Sequence, residues 1–561
     1  MRMSPRGAMV LLLIAIGFVM PVAAAEMKPG AHAVASAHPL ATEAGLEVLA
    51  AGGNAFDAAV AVSSTLAVVE PTGSGLGGGG FWLLHRASDG FETFVDGRET
   101  APAAAHERMY QDASGTAIAK RSRDGALAAA IPGEPAALEH LAKRYGRLGL
   151  ARALQPAIRA ARDGFACDVK LAEAFAAQWG RLDAEARRVF AVDGRAPRAG
   201  EAIVQPDLAR TLERIAADGA PGFYEGPTGA ALVAGSVAGG GVWTLDDLRH
   251  YRVVERRPTV SWFHGLRIVS APPPSAGGIT LGTTLGQLEA LGWKPDQGAR
   301  SKHLLIEALR RAYRDRAAYL GDPDFVRIPT TALLSTSYAR TLAAGIDPNR
   351  ATPSASLPPA DPSPQGPQTT HFSVLDAEGN RVAGTLSVNL PFGAGAMAPG
   401  TGVLLNDEMD DFAASTTASN AYGLIGSVPN RVQPNKRPLS SMSPTFVEGP
   451  RGLLVLGTPG GSRIITMVLI GLLAWDSGAD ALGVVSQPRF HHQYLPDVVM
   501  FEPGAIDPEE QKQLADMGHV LKPLKDTYGN LHAVSWDPAH GKVEAASDPR
   551  GVGAARVVPV R

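Results

Sequence analysis

A threonine that follows a proline-rich segment and heads a strand is the most chemically suggestive arrangement in this sequence. Residues 345–368 contain seven prolines, and Thr369 then begins the run TTHFSVL, which is typical of a strand. A threonine hydroxyl is a weak nucleophile at neutral pH and needs an adjacent base. The free α-amino group of an N-terminal threonine, with an ordinary pKa near ~8, can be that base. Cleavage of the Gln368–Thr369 bond would therefore make Thr369 a candidate nucleophile.

Four other short runs carry groups that could do chemistry, and each has a structural alternative. Asp410–Asp411 is more often a solvated turn, Ser440–Ser441 a loop and Gly460–Gly461 an ordinary turn. Glycine does, however, permit the close approach of backbone N–H groups that an oxyanion needs. His491–His492 suggests a metal site, but neighbouring strand positions point opposite ways and no third ligand has metal-site spacing. We therefore expect hydrogen bonding or packing there, and no metal.

The elements that must position these groups are mainly apolar helices. Apolar residues recur at helical spacing over Ala41–Ala51 and Asn54–Val69, with Gly52–Gly53 between the two runs. The second run is apolar on nearly all sides, which predicts a helix inside the core. Ser301–Tyr319 is a third helical run. Ile464–Trp475 is too short to cross a bilayer and predicts a buried helix.

Strands are indicated around the glycine-rich run PTGSGLGGGG at 71–80 and after Thr369. No Gly-Lys-Ser/Thr ends the glycine run, so it is not a phosphate-binding loop, and close backbone packing before a strand at Phe81–Leu84 is favoured. Thr369–Leu375 and Arg381–Asn389 flank a turn at Ala377–Asn380 and predict a hairpin. Thr369 would then lie at the first position of a buried hairpin.

Composition and the N-terminus bound the class of protein. With 561 residues and 45% hydrophobic content the chain can bury a large core, and its 52 basic and 55 acidic residues exclude an obvious nucleic-acid or anionic-membrane partner. Residues 1–25 have the charged, apolar and small-residue order of a signal peptide cleaved near Ala25–Glu26, an uncleaved anchor being the alternative. Cys167 is the only cysteine, which excludes an intrachain disulfide and disfavours a cysteine nucleophile.

A series of ordered blocks resembles the γ-glutamyltransferases (glutathione hydrolases). The similarity runs from about residue 32 to the end of the chain. The blocks include LGGGGF at 76–81, DGRETAP at 96–102, PPPSAGG at 272–278, YLGDP at 319–323, QTTHFS at 368–373, SVN at 387–389, LLNDEMDDF at 404–412, NKRPLSSMSPT at 435–445 and PGGS at 459–462.

The resemblance implies an α/β (α+β) fold, the four-layer αββα sandwich of the N-terminal nucleophile hydrolases, formed jointly by two autoproteolytic subunits. The large subunit would be residues 26–368, with 345–368 as a flexible linker, and the small catalytic subunit 369–561. The two products would form a heterodimer, secreted or periplasmic, away from the membrane once the signal is removed. The implied substrates are glutathione and other γ-glutamyl compounds, the implied acceptors are water, amino acids and peptides, and no cofactor is implied.

The resemblance also assigns roles around the nucleophile. Gln368 and Thr369 would form the processing site, and Thr369 would be the nucleophile. Ser387 stands where the family usually has threonine and keeps the hydroxyl that bonds the nucleophile. Gly460 and Gly461 resemble the segment that forms the oxyanion hole.

The resemblance assigns further residues to the donor, which is a zwitterion. A guanidinium suits its α-carboxylate, and acidic groups suit its α-ammonium. Tyr422, in the stretch after Asp411, resembles the lid tyrosine of some family members. The implied carboxylate site is Arg98, Ser440 and Ser441, and the implied ammonium site is Asn389, Glu408 and Asp411.

Two alternatives remain open at this stage. A cephalosporin or glutaryl acylase of the same superfamily would share the processing threonine, but its donor lacks the α-ammonium that Asn389, Glu408 and Asp411 would hold. A non-catalytic secreted binding protein on the same scaffold is the second alternative, and the loss of Thr369 or Arg98 would be its expected sign. Neither residue is lost.

Overall fold

The structure is a computed structural model that describes residues 27–357, 368–413 and 427–560. The predicted signal peptide, residues 358–367 of the predicted linker and Tyr422 lie outside the described residues.

The strands are numbered along the chain. They are β1 (Ala31–Ser36), β2 (Gly79–Arg86), β3 (Phe91–Gly97), β4 (Phe165–Ala166), β5 (Ala202–Ile203), β6 (Val254–Arg256), β7 (Thr259–Phe263), β8 (Leu266–Ser270), β9 (Gln368–Leu375), β10 (Arg381–Asn389), β11 (Met397–Ala398), β12 (Val403–Leu404), β13 (Thr445–Gly449), β14 (Gly452–Gly457), β15 (Phe490–His491), β16 (Val499–Phe501), β17 (Leu521–Pro523), β18 (His532–Asp537), β19 (Lys542–Ser547) and β20 (Ala554–Pro559).

The α-helices are numbered in the same way. They are α1 (Pro39–Ala50), α2 (Ala55–Val69), α3 (Glu134–Arg144), α4 (Leu150–Ala153), α5 (Gln155–Asp163), α6 (Val169–Gln178), α7 (Ala184–Phe190), α8 (Pro206–Asp218), α9 (Pro221–Tyr224), α10 (Gly226–Ala238), α11 (Leu245–His250), α12 (Gly277–Ala290), α13 (Ala299–Tyr319), α14 (Thr330–Leu333), α15 (Thr336–Ala344), α16 (Arg463–Asp476), α17 (Ala481–Ser486) and α18 (Pro508–Asp516).

Two antiparallel sheets organise the molecule. The first has the strand order β20-β1-β9-β10-β2-β3-β6, and the second has the order β19-β18-β14-β13-β8-β7. Each sheet mixes strands from before and after residue 368. The hairpin β9–β10 lies at the centre of the first sheet, between β1 and β2. A cut before Thr369 would therefore leave both products hydrogen-bonded within one sheet.

Side-chain alternation along β2 shows how the layers stack. Trp82 and Leu84 pack in the cluster formed with α1, α2 and α3, whereas Phe81 and Leu83 pack in the cluster shared with the second sheet and α12, α13 and α16. The order of layers is helix, sheet, sheet, helix. This is the predicted αββα sandwich.

The predicted helices are present with small shifts at their ends. Every residue of α2 is buried, and Asn54 caps it in a capping box with Asp57. The predicted helix over Ser301–Tyr319 is α13. The run Ile464–Trp475 lies in α16, most of whose residues are buried. Within the part of the chain that the structure describes, no helix is long and apolar enough to cross a membrane.

The glycine run at 77–80 brings the backbones of three segments together, as its composition predicts. A Cβ added at Gly77 would lie 1.9 Å from the Leu404 carbonyl oxygen, and one added at Gly78 would lie 2.2 Å from the Ser387 carbonyl oxygen. Any larger residue would push β10 and the residue 404 region away from this corner. The glycines therefore position strands that carry the site.

The first half of the predicted flexible linker is packed, in contrast to the expectation. Ser354 is fully buried, its N–H donates to Asp497 Oδ2 at 2.7 Å, and its hydroxyl accepts from Arg310 at 2.5 Å. The Thr352 N–H donates to Glu307 Oε1 at 3.1 Å. The expectation considered only apolar packing, whereas buried charged side chains hold this segment through hydrogen bonds.

Candidate active site

Thr369 is the second residue of β9 and is only 5% exposed. The pairing of β9 with β10 passes from Thr370 opposite Leu386 to Gln368 opposite Asn389. Ser387 and Val388 thus lie together across from Thr369 in a bulge, a feature that re-aims side chains.

The end of β10 holds Ser387 and Asn389 in a fixed arrangement. The Asn389 N–H donates to Ser387 Oγ at 2.9 Å, and the Asn389 side-chain amide donates to the Asp407 carbonyl at 3.0 Å. Asn389 has φ of 73°, a left-handed conformation that asparagine tolerates better than most residues. Its backbone therefore turns away from the sheet directly beside the predicted nucleophile.

Gly460 and Gly461 lie immediately before α16. Gly460 has φ of 140°, and a Cβ there would approach Met467 Cε to 2.5 Å, so the position requires glycine. Neither glycine N–H donates a hydrogen bond to another described residue. Free N–H groups at the start of a helix are suited to an oxyanion.

Thr369 and Gly460 share the wall of a cavity of about 790 Å³. The cavity is lined by groups of both charges, and its wall includes none of the residues predicted to hold the donor's α-groups. The charged and titratable residues of its wall are His38, Glu70, Asp168, Lys170, Glu173, Arg463, Asp526, Tyr528 and Arg550.

The structure brings together Arg98, Glu408 and Asp411, which the resemblance assigns to the donor. Arg98 Nη1 lies 2.6 Å from Glu408 Oε2 and 3.3 Å from Glu99 Oε2, while its Nη2 pairs with Asp411 Oδ2. Arg98 Nε donates to the Pro438 carbonyl at 3.3 Å. The guanidinium predicted for the carboxylate therefore neutralises the acidic groups predicted for the ammonium.

The electrostatics of this cluster favour an additional cation. Burial raises the pKa of Asp411 well above its ordinary value, since the Glu408 charge adds to the effect and Arg98 only partly opposes it. Burial alone would lower the pKa of Arg98, but Glu408 and its neighbours raise it. Glu408 Oε1 and Asp411 Oδ1 are buried without a hydrogen-bond partner among the described residues. Two oxygens are thus left to accept from an ammonium group.

Ser440 and Ser441 lie in a loop held from both sides. The Ser440 N–H donates to the Pro274 carbonyl at 2.9 Å, and Ser440 Oγ accepts from the Met442 N–H at 3.1 Å. Ser441 Oγ accepts from Arg316 Nη2 at 3.3 Å. Because each hydroxyl oxygen accepts an internal hydrogen bond, each O–H is left to donate. A carboxylate has the two oxygens that such a pair can bind.

A family model and the curated relatives of this chain point to the same protein family. The γ-glutamyltranspeptidase family model matches residues 41–558. A glutathione hydrolase proenzyme of Pseudomonas sp. (strain A14) is 43% identical over 495 residues, covering 86% of this chain and 85% of the relative. The glutathione hydrolase proenzyme of Escherichia coli (strain K12) is 41% identical over 527 residues, covering 92% and 90%. The chain belongs to the γ-glutamyltranspeptidase family.

Solved structures agree on the fold of this γ-glutamyltranspeptidase family member. A cephalosporin acylase from Bacillus halodurans superimposes with a TM-score of 0.82 at 27% identity, covering 94% of this chain and 96% of that one. The Helicobacter pylori γ-glutamyltranspeptidase gives a TM-score of 0.56 at 37% identity, covering 58% and 94%. The N-terminal nucleophile hydrolase fold is common to both, so the fold does not distinguish their donors.

Three further residues of this family member contact the site and were missed from the sequence. Asn430 joins the acidic turn to the serine loop, because its amide donates to the Asp411 carbonyl at 2.7 Å and accepts from the Leu439 N–H at 2.9 Å. Arg316 contacts Ser441, as described above. Glu70 accepts from Thr370 Oγ1 at 2.5 Å, next to the predicted nucleophile.

Two of these residues carried a signal in the sequence. The apolar stripe of the Ser301–Tyr319 helix passes through Leu309, Ala312 and Tyr313, and Arg316 falls at the next position of the same stripe. A charged residue on a buried stripe needs a partner or a function. Glu70 directly follows helix α2, which is apolar on nearly all sides, so the same argument applies to Glu70.

The structure gives the predicted histidine pair ordinary partners. His491 Nδ1 lies 2.9 Å from Thr466 Oγ1, and His492 Nε2 lies 3.1 Å from Asp497 Oδ1. Among the described residues, the one cluster with metal-ligand spacing is His85, Glu92 and Glu448. Its carboxylates are already paired with Arg267, and arginine is a poor neighbour for a cation.

Proposed function

We propose that Thr369 cuts the chain before itself and is then the nucleophile of the mature enzyme. Attack of its hydroxyl on the Gln368 carbonyl would move the Gln368 acyl group from nitrogen to oxygen, and water would release it, freeing the Thr369 amine. The products would be residues 26–368 after signal removal and 369–561. The position of Thr369 at the head of β9, sharing a cavity with Gly460, is the observation that carries this proposal.

Membership of the family makes the protein a γ-glutamyltransferase with glutathione hydrolase activity. In the proposed mechanism the Thr369 hydroxyl attacks the γ-glutamyl amide carbonyl, and the Thr369 amine moves its proton to the leaving amine. The N–H groups of Gly460 and Gly461 would hold the oxyanion. Ser387, opposite Thr369 in the sheet, would orient the nucleophile's hydroxyl. A γ-glutamyl ester on Thr369 is then released to water or to an amine.

The donor's α-groups would bind at the cluster around Arg98. The ammonium would occupy the position between Glu408 Oε1 and Asp411 Oδ1, with Asn389 beside it. The carboxylate would accept hydrogen bonds from Ser440, Ser441 and Arg98. The Arg98 guanidinium would at the same time stay paired with its acidic neighbours. Binding of a zwitterion adds one charge of each sign, so the net charge of the cluster does not change.

The leaving group and the acceptor would use the cavity that Thr369 and Gly460 line. Its volume and its mixed charges suit amino acids and short peptides, which are themselves zwitterions. We propose that the enzyme acts outside the cytoplasm, because residues 1–25 have the order of a signal peptide.

A cephalosporin acylase remains the second candidate, because one such enzyme shares the whole fold. Its donor carries a carboxylate without the neighbouring ammonium. When that donor binds, Arg98 would be the cation paired with Glu408 and Asp411, because the donor brings no ammonium group. The donor's carboxylate would also add a further negative charge, which is unfavourable in a buried site.

A pair of donors separates the two candidates. Wild-type enzyme is expected to release the anilide from a γ-glutamyl anilide far faster than from a glutaryl anilide, because the two donors differ only in the ammonium. Comparable kcat/KM values on the two donors would overturn the γ-glutamyl assignment in favour of the acylase. No release from either donor by fully cleaved enzyme would favour a non-catalytic protein.

A further inference from the structure

Arg316 differs from the other arginines around the donor site in its charge balance. It is 3% exposed, yet no carboxylate of the described residues lies within ion-pair distance of it. Its Nε is buried without a hydrogen-bond partner in the described part of the chain. Arg98, by contrast, contacts three carboxylates. A buried cation without an anionic partner is costly and indicates a ligand.

The side chain of Arg316 is held on a rigid element. It lies in the last turn of α13, whose Tyr313 hydroxyl, one turn earlier, donates to the Ser462 carbonyl beside the Gly460–Gly461 segment. The same face of the helix therefore touches the predicted oxyanion segment through Tyr313 and the serine loop through Arg316. Burial lowers the pKa of Arg316 to about 10, against the opposing influence of Tyr313 and Asp411, so it stays charged at neutral pH.

The contact with Ser441 has a directional consequence. Arg316 Nη2 donates to Ser441 Oγ at 3.3 Å, and a guanidinium has no acceptor atom. The Ser441 hydroxyl proton therefore cannot point towards Arg316 and must point away from it. The Ser440 hydroxyl proton must likewise point away from the Met442 N–H, because the Ser440 oxygen accepts a hydrogen bond from that group.

We propose that Arg316 is a positioning residue for donor selection: it orients the Ser441 hydroxyl towards the donor's α-carboxylate and supplies the positive charge behind it. This inference rests on the proposed donor site. In it, Arg98 serves chiefly to balance Glu408 and Asp411, while Arg316, which has no carboxylate of the described residues within ion-pair distance, supplies the positive charge that an anionic group of the substrate requires. The preference for a γ-glutamyl donor over one without an α-carboxylate then depends on Arg316.

The test compares two donors that differ only in that carboxylate, a γ-glutamyl anilide and a 4-aminobutyryl anilide. Arg316→Met should raise KM for the γ-glutamyl anilide about tenfold, with kcat within about threefold of wild type, since one charge-assisted contact is lost. KM for the 4-aminobutyryl anilide should not change. Rates are taken per cleaved enzyme, measured by denaturing electrophoresis.

Two further variants keep the test informative. Ser441→Ala should raise the same KM, and combining it with Arg316→Met should add little, because the two residues act as one unit. Arg316→Lys, which keeps the charge, should restore part of the affinity and also serves if the methionine variant does not fold. Arg311→Met removes another buried arginine from the same helix and is the control, with both donors expected to keep their KM.

The outcomes separate this inference from the proposed function. A wild-type enzyme that uses both donors equally well would contradict the donor site itself. A wild-type enzyme that discriminates, together with Arg316 variants that lose affinity equally for both donors, would overturn the role of Arg316 alone and mark it as structural.

Discussion

The cluster around Arg98 and the cavity that Thr369 lines are built differently. In the cluster proposed to bind the donor, charged groups are buried and placed at fixed distances, with Arg98 between Glu408 and Asp411 and with Arg316 behind Ser441. The cavity, by contrast, carries charges of both signs on its wall. The difference suggests strict selection of the group that forms the ester and permissive acceptance of the group that leaves or attacks. A change at Thr369 should abolish the reaction as a whole. A change at the proposed donor site should affect only the selection of the donor, and a change in the cavity should affect only the group that leaves or attacks.

The largest effect is expected at the predicted nucleophile. Thr369→Ala should abolish both chain cleavage and turnover, a loss on the order of a thousandfold or more, because no other described group replaces the nucleophile. Thr369→Ser keeps a hydroxyl and should cleave and turn over at a reduced rate. Release of a γ-glutamyl anilide measures turnover, and normal rates in the alanine variant would contradict the scheme.

A smaller effect is expected at the proposed donor site. Arg98→Lys keeps the charge but loses the planar fork that reaches Glu408 and Asp411 together, so kcat/KM for the γ-glutamyl anilide should fall tenfold to a hundredfold, roughly 1.5–3 kcal/mol. The fall in kcat/KM should come mainly from a higher KM, and cleavage of the chain should persist. Lower thermal stability or poor cleavage with an unchanged KM would instead make Arg98 a structural residue.

The smallest effect is expected in the cavity, at Glu70. Burial raises its pKa from 4.5 to about 7, with the Thr370 hydrogen bond opposing the shift. An acid with a raised pKa in the folded state contributes stability that is present below pH 4.5 and is lost as the pH rises through 7. Glu70→Gln cannot ionise and keeps an acceptor for Thr370. The free energy of unfolding of Glu70→Gln, relative to that of wild type, should therefore rise by about 1–3 kcal/mol between pH 4.5 and pH 8.

Denaturant unfolding of wild type and Glu70→Gln at several pH values measures this difference. Glu173→Gln changes an exposed carboxylate on the wall of the same cavity and should show no comparable trend. A stability difference between wild type and Glu70→Gln that is independent of pH would contradict the shifted ionisation of Glu70.

The sequence predicted the elements with local signals and missed the contacts that depend on the fold. The helices α2, α13 and α16 and the hairpin β9–β10 follow from periodicity and capping. The site residues were assigned by resemblance, and the structure brings Arg98 together with Glu408 and Asp411. Their mutual ion pairing was not predictable, because it joins segments some 310 residues apart.

The packing of residues 351–357 was not predicted for a related reason. The segment is rich in proline and poor in apolar residues, which suggested mobility. Its anchors are Arg310, Glu307 and Asp497, which come from α13 and from a loop far along the chain. Local composition does not report such partners.

Thr369 is expected to become the N-terminus of a catalytic chain, and the intact mass of the active enzyme tests this expectation most directly. Denaturing mass spectrometry of purified enzyme should find two chains, one ending at Gln368 and one running from Thr369 to Arg561, and brief exposure to a γ-glutamyl donor should add one γ-glutamyl group to the second chain only. A single uncut chain that turns over the donor at the full rate would contradict the account.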